Sequence, residues 1–212
     1  RDDLLKEIEK QRKKSSSKKK FKGNFLDYVE HIQKNPNLVK TSHKRLYDAI
    51  MKGGMEKMLD SNPRKQKVFD NDSVRIYGYF KEEFFGMERV LERLMSFLKS
   101  AAFKGEESKQ VLLLMGPVGA GKSALTEHIK RALDGETFFH LDGDPQRGEP
   151  LQLVPRSLRE TFTKKLKVPI EGDISPVARY KLLTELEGKY EDFPVVETSF
   201  SQRGRRGVAS VP

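Results

Sequence analysis

Three features of the sequence predict an α/β fold in which a parallel sheet is flanked by helices, behind a short helical N-terminal extension. From Phe84 onward, helical and strand periodicities alternate. The apolar run Gln110–Met115 ends on a glycine-rich turn, as expected of a strand buried on both faces. That turn passes directly into an amphipathic helix, the order in which a strand–loop–helix unit is built.

The elements follow in order. Residues 1–22 read as a basic, mobile segment in which Asp2–Arg12 is a weak helix carrying Leu4, Leu5 and Ile8 on one side. Residues 23–60 read as a small helical unit. Asn24 is placed to cap a helix whose Phe25, Tyr28, Val29 and Ile32 fall at i, i+3, i+4 and i+7, and Asn35-Pro36-Asn37 ends it. A second helix is expected over Thr41–Met51, with Leu46, Tyr47 and Ile50 inward and Gly53-Gly54 as its stop. Residues 61–83 read as a linker and a short strand, because turn formers fill 60–72 and Val74, Ile76, Gly78 and Phe80 alternate.

Residues 84–212 read as the main domain. Gly86–Phe103 sets Met87, Val90, Leu91, Leu94, Leu98 and Ala101 at helical spacing. After the Gln110–Met115 strand comes a helix over Ser123–Leu133 with Leu125, Ile129 and Leu133 inward, and then a buried strand over Thr137–Leu141. Pro155 opens a helix to about Leu166, with Leu158, Phe162 and Leu166 on one face. Ser175-Pro176 pairs an N-cap with a first-turn proline for a helix reaching about Glu187, and Pro194–Phe200 is a third strand.

Composition removes several function classes. The chain has no cysteine, so disulfide scaffolds and thiolate metal sites are excluded. Its longest apolar run, Val111–Met115, is far below the roughly 20 residues of a spanning helix, and no export signal is visible. The expectation is a cytoplasmic protein without membrane partners. The net charge of +10 is concentrated early, with 16 Lys and Arg against 9 Asp and Glu in residues 1–60, and 15 against 14 in residues 111–212. The run Arg12–Lys22 is either an anion-attracting arm or a solvated linker, and the near-neutral remainder argues against a nucleic-acid-binding body. The chain starts at Arg1 rather than Met and reads as a piece of a longer protein.

The chemistry sits in Gly116-Pro117-Val118-Gly119-Ala120-Gly121-Lys122-Ser123, a full G-x-x-x-x-G-K-[ST] match. Glycines let the loop curl so that successive N–H groups face a β-phosphate, and the following helix adds its positive end. Lys122 supplies an ammonium for the β- and γ-phosphates and is the candidate catalytic residue. Ser123 offers a hydroxyl to Mg²⁺ and is the candidate metal ligand. Ala124 follows inside the cradle. The loop predicts a nucleoside triphosphate with Mg²⁺ as the bound group.

Other features leave alternatives open. Asp142 and Asp144 end the Thr137–Leu141 strand, and either act on the metal or are loop acids at the sheet's carboxyl edge. His140 is expected to pack beside the sheet. Phe84-Phe85-Gly86-Met87 is either a staple for the helix it precedes or an aromatic turn against an adenine. Arg203, Arg205 and Arg206 form a basic turn, read either as a trans-acting contact or as a solvated loop.

Several of these segments together resemble the bacterial PrkA-type serine protein kinases: Gly23-Asn24-Phe25-Leu26-Asp27-Tyr28, the helix around His43–Ile50, Phe84-Phe85-Gly86, and the loop Gly116–Ser123. Glu149-Pro150-Leu151, Val154-Pro155, Leu158-Arg159 and Gly172-Asp173-Ile174-Ser175-Pro176 extend the similarity over nearly the whole chain. The resemblance implies a P-loop NTPase of the AAA+ type, with Gly116–Ser123 as Walker A and Phe85 and Gly86 near the adenine. It also implies that the Walker B strand and sensor residues lie beyond Pro212. Cysteines common in the family near Gly172–Ala178 are absent, and Ser175-Pro176-Val177-Ala178 stands there.

The leading expectation is the ATP-binding AAA+ region of a PrkA-type serine/threonine-protein kinase. It would couple ATP and Mg²⁺ to phosphoryl transfer or conformational work on a protein substrate in the full protein. The alternative is an AAA+ unfoldase or ATP-dependent protease subunit that works as a homo-oligomer without kinase chemistry. A nucleotide-regulated binding module stays open. A small-molecule P-loop kinase is disfavoured by the long N-terminal extension.

Overall fold

The computed structural model describes residues 20–59, 61–62, 69, 73–168 and 170–200. The expected Asp2–Arg12 helix, most of the Arg12–Lys22 run and Arg203, Arg205 and Arg206 lie outside these residues. The described chain divides into two units, one made of residues 20–38 and 137–198 and the other of residues 39–136 with 199–200.

In the first unit, β1 (Lys22–Asn24) leads into α1 (Phe25–Lys34). Asn24 forms a capping box: its side-chain oxygen accepts from Asp27 N–H at 2.9 Å, and the Asp27 carboxylate accepts from Asn24 N–H at 2.9 Å. The buried face of α1 is Phe25, Tyr28 and Ile32. The Tyr28 ring lies 5.2 Å from Phe139 of β4 (Thr137–Leu141), and Phe21 meets that ring edge-on at 5.5 Å. β5 (Pro194–Ser199) is the middle strand of a three-stranded sheet in the order β1-β5-β4. β1 pairs with it antiparallel, Lys22 opposite Val196 and Asn24 opposite Pro194. β4 also runs against it: Asp142 N–H donates to Pro194 C=O at 2.9 Å, while His140 Nε2 lies 2.9 Å from Thr198 Oγ1. α5 (Arg156–Leu166) and α6 (Pro176–Thr184) complete this unit.

In the second unit, α2 (Ser42–Met51) is capped by Thr41, whose side chain accepts from Lys44 N–H at 3.2 Å. β2 (Met55–Lys57) and β3 (Arg75–Tyr77) form an antiparallel pair. Gly53 and Gly78 cross so closely that a Cβ on Gly78 would sit 2.0 Å from the Gly53 carbonyl oxygen, which leaves room only for glycine. α3 (Glu88–Ala102) and α4 (Lys122–Ala132) bury Leu91, Leu94, Met95, Leu98 and Leu125 against Ile50, Tyr77, Phe80 and Phe84. Burying a side chain of this size contributes roughly 1.5–3 kcal/mol, so this cluster holds the unit together.

The structure departs from the expectations at several points. The sheet is small and antiparallel rather than parallel. Residues 110–115 join neither described sheet. Val111, Leu113 and Met115 face solvent, and only Leu114 packs against the core. A strand needs a neighbouring ladder for its backbone groups, and no described strand lies beside this run. Burial around β3 falls at Val74, Tyr77 and Phe80, because the strand stops at Tyr77 and Gly78–Phe80 is a 3-10 turn. On α3, Val90 is exposed while Glu88 and Met95 turn inward, a small rotation of the expected face. On α5, Leu158 is exposed and Leu166 is the buried residue.

Candidate functional site

The G-x-x-x-x-G-K-[ST] loop lies between the exposed 111–115 run and α4. Gly119 and Gly121 both adopt left-handed backbone, with φ of +82° and +77°. A residue with a side chain resists that region by about 1–2 kcal/mol, so the two glycines are what let the chain turn back on itself. Gly121 is the N-cap of α4 and no side chain caps the helix. Its leading N–H groups therefore have no side-chain acceptor and face outward with the positive end of the helix dipole. Leu125 N–H closes the first turn on Gly121 C=O at 2.8 Å.

Lys122 folds back over the loop. Its ammonium donates to Gly116 C=O at 2.8 Å and to Pro117 C=O at 2.7 Å. The cation thus sits over the mouth of the curl, and Val118 stands at its tip, fully exposed. Ser123 and Ala124 lie on the open side of the first turn of α4. The described residues contain no cluster of three or more His, Asp or Glu that could hold a metal ion. Around this loop, a metal ligand would be the Ser123 hydroxyl together with phosphate oxygens.

The aromatic turn divides its work. Phe84 is buried in the core, whereas Phe85 is exposed and Gly86 turns the chain at φ +76°. Phe85 rims a cleft of about 160 Å³ floored by Tyr77, Phe80 and Leu91, with Arg75 and Lys81 at its edge. Burial pushes the Tyr77 phenol up despite the Arg75 guanidinium beside it. No residue of the 116–123 loop lines this cleft. The turn and the loop approach each other at Met87, whose sulfur would lie 3.9 Å from a Cβ added at Gly121. Met87, read from the sequence as an inward helix position and as the end of the aromatic turn, is the residue of that turn nearest Gly121.

Asp142 and Asp144 belong to the first unit. Asp144 is buried and its carboxylate is fully engaged, accepting from Gln146 N–H at 3.1 Å, Gly148 N–H at 2.7 Å and the Ser175 hydroxyl at 2.7 Å. Ser175 in turn caps α6 by accepting from Ala178 N–H at 3.0 Å. Asp144 therefore ties the turn after β4 to the start of α6. Asp142 contributes its backbone carbonyl, which accepts from Lys181 Nζ at 3.1 Å. His140 is held in the sheet by Thr198 and the Leu141 carbonyl.

A group the sequence did not single out lies on α4. His128 is buried, with Nε2 2.9 Å from the Tyr79 carbonyl oxygen and Nδ1 2.9 Å from a Glu83 carboxylate oxygen. Its place six residues after Lys122, on a helix with Leu125 and Ile129 inward, was the available signal.

Comparison with known proteins gives a consistent result. The family model described as the PrkA AAA domain matches residues 23–212. A relative from Bacillus subtilis (strain 168), "ATP-dependent protease PrkA", is 34% identical over 98% of this chain and 32% of its own length. "Serine/threonine kinase YeaG" of Escherichia coli (strain K12) is 34% identical over 70% of this chain and 24% of its own. "Lon protease" of Clostridium beijerinckii is 28% identical over 85% of this chain and 24% of its own. The chain thus spans about a third or less of the length of these relatives. No solved structure matches it.

Proposed function

The chain belongs to the PrkA AAA-domain family, and on that premise we propose that it is the ATP- and Mg²⁺-binding region of a PrkA-type serine protein kinase, serving phosphoryl transfer or conformational work in a longer protein. The observation that carries this reading is the loop itself. Two left-handed glycines curl it, its helix end is free of a side-chain cap, and the Lys122 ammonium is stationed at its mouth. In this reading the N–H groups of residues 118–124 hold the β-phosphate and Lys122 neutralises charge developing on the γ-phosphate. Ser123 supplies one oxygen to Mg²⁺, and Phe85 and Gly86 flank the adenine. When bound, Mg²⁺ draws charge from the β- and γ-phosphate oxygens. The protein substrate and any assembly into a homo-oligomer are properties of the longer protein.

A second reading, an AAA+ motor or ATP-dependent protease subunit without kinase chemistry, is favoured by one specific observation. Relatives bearing the names "ATP-dependent protease PrkA" and "Lon protease" align over most of this chain. The deciding experiment is turnover of γ-labelled ATP by the longer protein, wild type and Lys122→Ala, with and without a serine-containing protein acceptor. Label on serine that vanishes in the variant supports the kinase. Release of free phosphate alone, stimulated by protein substrate, transfers the conclusion to the motor.

A further inference from the structure

We propose that His128 is a positioning residue: it fixes the phosphate cradle at one end of α4 against the aromatic turn that precedes α3, and so sets the span over which the site can hold a nucleotide. The inference rests on the reading that residues 116–124 bind the phosphates and Phe85-Gly86 the base.

The geometry is reciprocal. A carbonyl oxygen only accepts, so Nε2 is the donor to Tyr79 C=O at 2.9 Å. Tyr79 answers with its hydroxyl, which donates to the His128 carbonyl at 2.7 Å. On the other side of the ring a Glu83 carboxylate oxygen lies 2.9 Å from Nδ1, without hydrogen-bond geometry. Glu83 also reaches Arg131, one turn further along α4, at 3.4 Å. The imidazole is packed among three rings, with centroids at 4.5 Å for Tyr79, 5.2 Å for Phe84 and 5.6 Å for Phe80. One side chain of the P-loop helix therefore meets both ends of the segment 79–84, Tyr79 by a hydrogen bond and Phe84 by ring packing.

Both elements so joined lead straight into the candidate site. Six residues before His128 stands Lys122, about 9 Å along a helix rising ~1.5 Å per residue. One residue after Phe84 comes Phe85. A helix is stiff along its axis, so a grip at His128 is transmitted to the N–H groups of its first turn. Met87, which packs on the same core as Leu125, lies near the loop end, where a Cβ added at Gly121 would come 3.9 Å from its sulfur. Leu125 anchors α4 in that core, and loss of the His128 contacts lets the cradle shift about this anchor. A ligand held by phosphate and base together feels that swing, while a ligand held by phosphates alone does not.

This difference is the test. Magnesium tripolyphosphate occupies only the cradle, whereas magnesium ATP spans cradle and turn. Both are titrated calorimetrically into the chain as wild type, His128→Ala, His128→Gln and Tyr79→Phe. Removing one net hydrogen bond's worth of alignment is expected to weaken ATP about fivefold in His128→Ala and to leave tripolyphosphate unchanged. His128→Gln, whose amide can still donate to the Tyr79 carbonyl, is expected to recover most of the ATP affinity. Tyr79→Phe keeps every ring and removes a single bond. It is expected to show a smaller loss, again confined to ATP, so the test does not depend on the alanine variant folding. Equal weakening of both ligands, or of neither, overturns the positioning role while leaving phosphate binding intact. A wild-type chain that binds neither ligand removes the nucleotide reading and the proposal with it.

Discussion

Replacing Lys122 with methionine keeps the aliphatic stem over the loop and removes the ammonium. In the ligand-free chain that group holds two exposed carbonyl contacts, to Gly116 and Pro117. Their donor is charged, but both lie exposed to water, which holds them to about 1 kcal/mol each. With a nucleotide the ammonium exchanges them for two phosphate oxygens, and hydrogen bonds to charged groups are worth about 1.5–3 kcal/mol each. The difference favours binding by about 2.5 kcal/mol, a factor of about 70 in Kd. Ligand-induced stabilisation at 100 times the wild-type Kd is about 2.7 kcal/mol, and at the same concentration the variant retains about 0.5 kcal/mol. For a chain of this length that gap corresponds to about 4–9 °C in the ATP-induced shift of the thermal transition. Scanning calorimetry with and without magnesium ATP measures it. A Lys122→Met chain whose ATP-induced shift equals that of wild type would refute the exchange argument, and with it the role given to the ammonium.

Three other outcomes follow from the packing. Burial alone would raise the Asp48 carboxyl, but the Lys40 and Lys44 ammonium groups, each 2.7 Å away, outweigh it and hold the group below the ordinary carboxylate range. The stabilisation is therefore present above the unfolded carboxyl's titration and is lost as pH falls through the folded one. Asp48→Asn should cost about 0.5–1 kcal/mol near neutrality, and the gap to wild type should close as unfolding is followed down from pH 5 to pH 2. Ser175→Ala removes the α6 cap and one of three donors to the buried Asp144, for a combined loss of about 2–3 kcal/mol in urea unfolding, and Ser175→Thr should restore most of it. Leu113→Lys places a charge in the exposed apolar run and should lower concentration-dependent light scattering without a change in circular dichroism.

Local signals carried well from sequence to structure where the deciding contacts are local. Asn24 and Ser175 cap helices through side chains that reach only three residues ahead. Thr137–Leu141 forms the strand its apolar run predicts. Legibility failed where a distant neighbour decides. Lys22–Asn24 and Met55–Lys57 are strands only because β5 and β3 lie beside them, and three residues hold too little pattern to show it. The 110–115 run has the composition of a buried strand, yet composition cannot supply the strand that must pair with it. In the candidate site, the curl of the loop was legible because glycine spacing encodes backbone conformation directly. The His128 grip was not, since it is a tertiary contact between residues 49 apart.

The pairing of β1 with β5 sets an order of events during synthesis. Phe21 and Glu197, at the ends of that contact, are 176 residues apart, and all of the second unit's described core lies between them. The β2–β3 pair closes over about 20 residues, and a loop about eight times longer adds about 2 kcal/mol of closure entropy. A ribosome adding about 5–20 residues per second exposes the second unit's core while β5 has not yet been translated. β1 and α1 must therefore wait, with Phe25, Tyr28 and Ile32 uncovered, until Phe139, Phe193 and Val195 arrive. The phosphate loop and the helix that carries it are assembled inside an insertion whose host closes last.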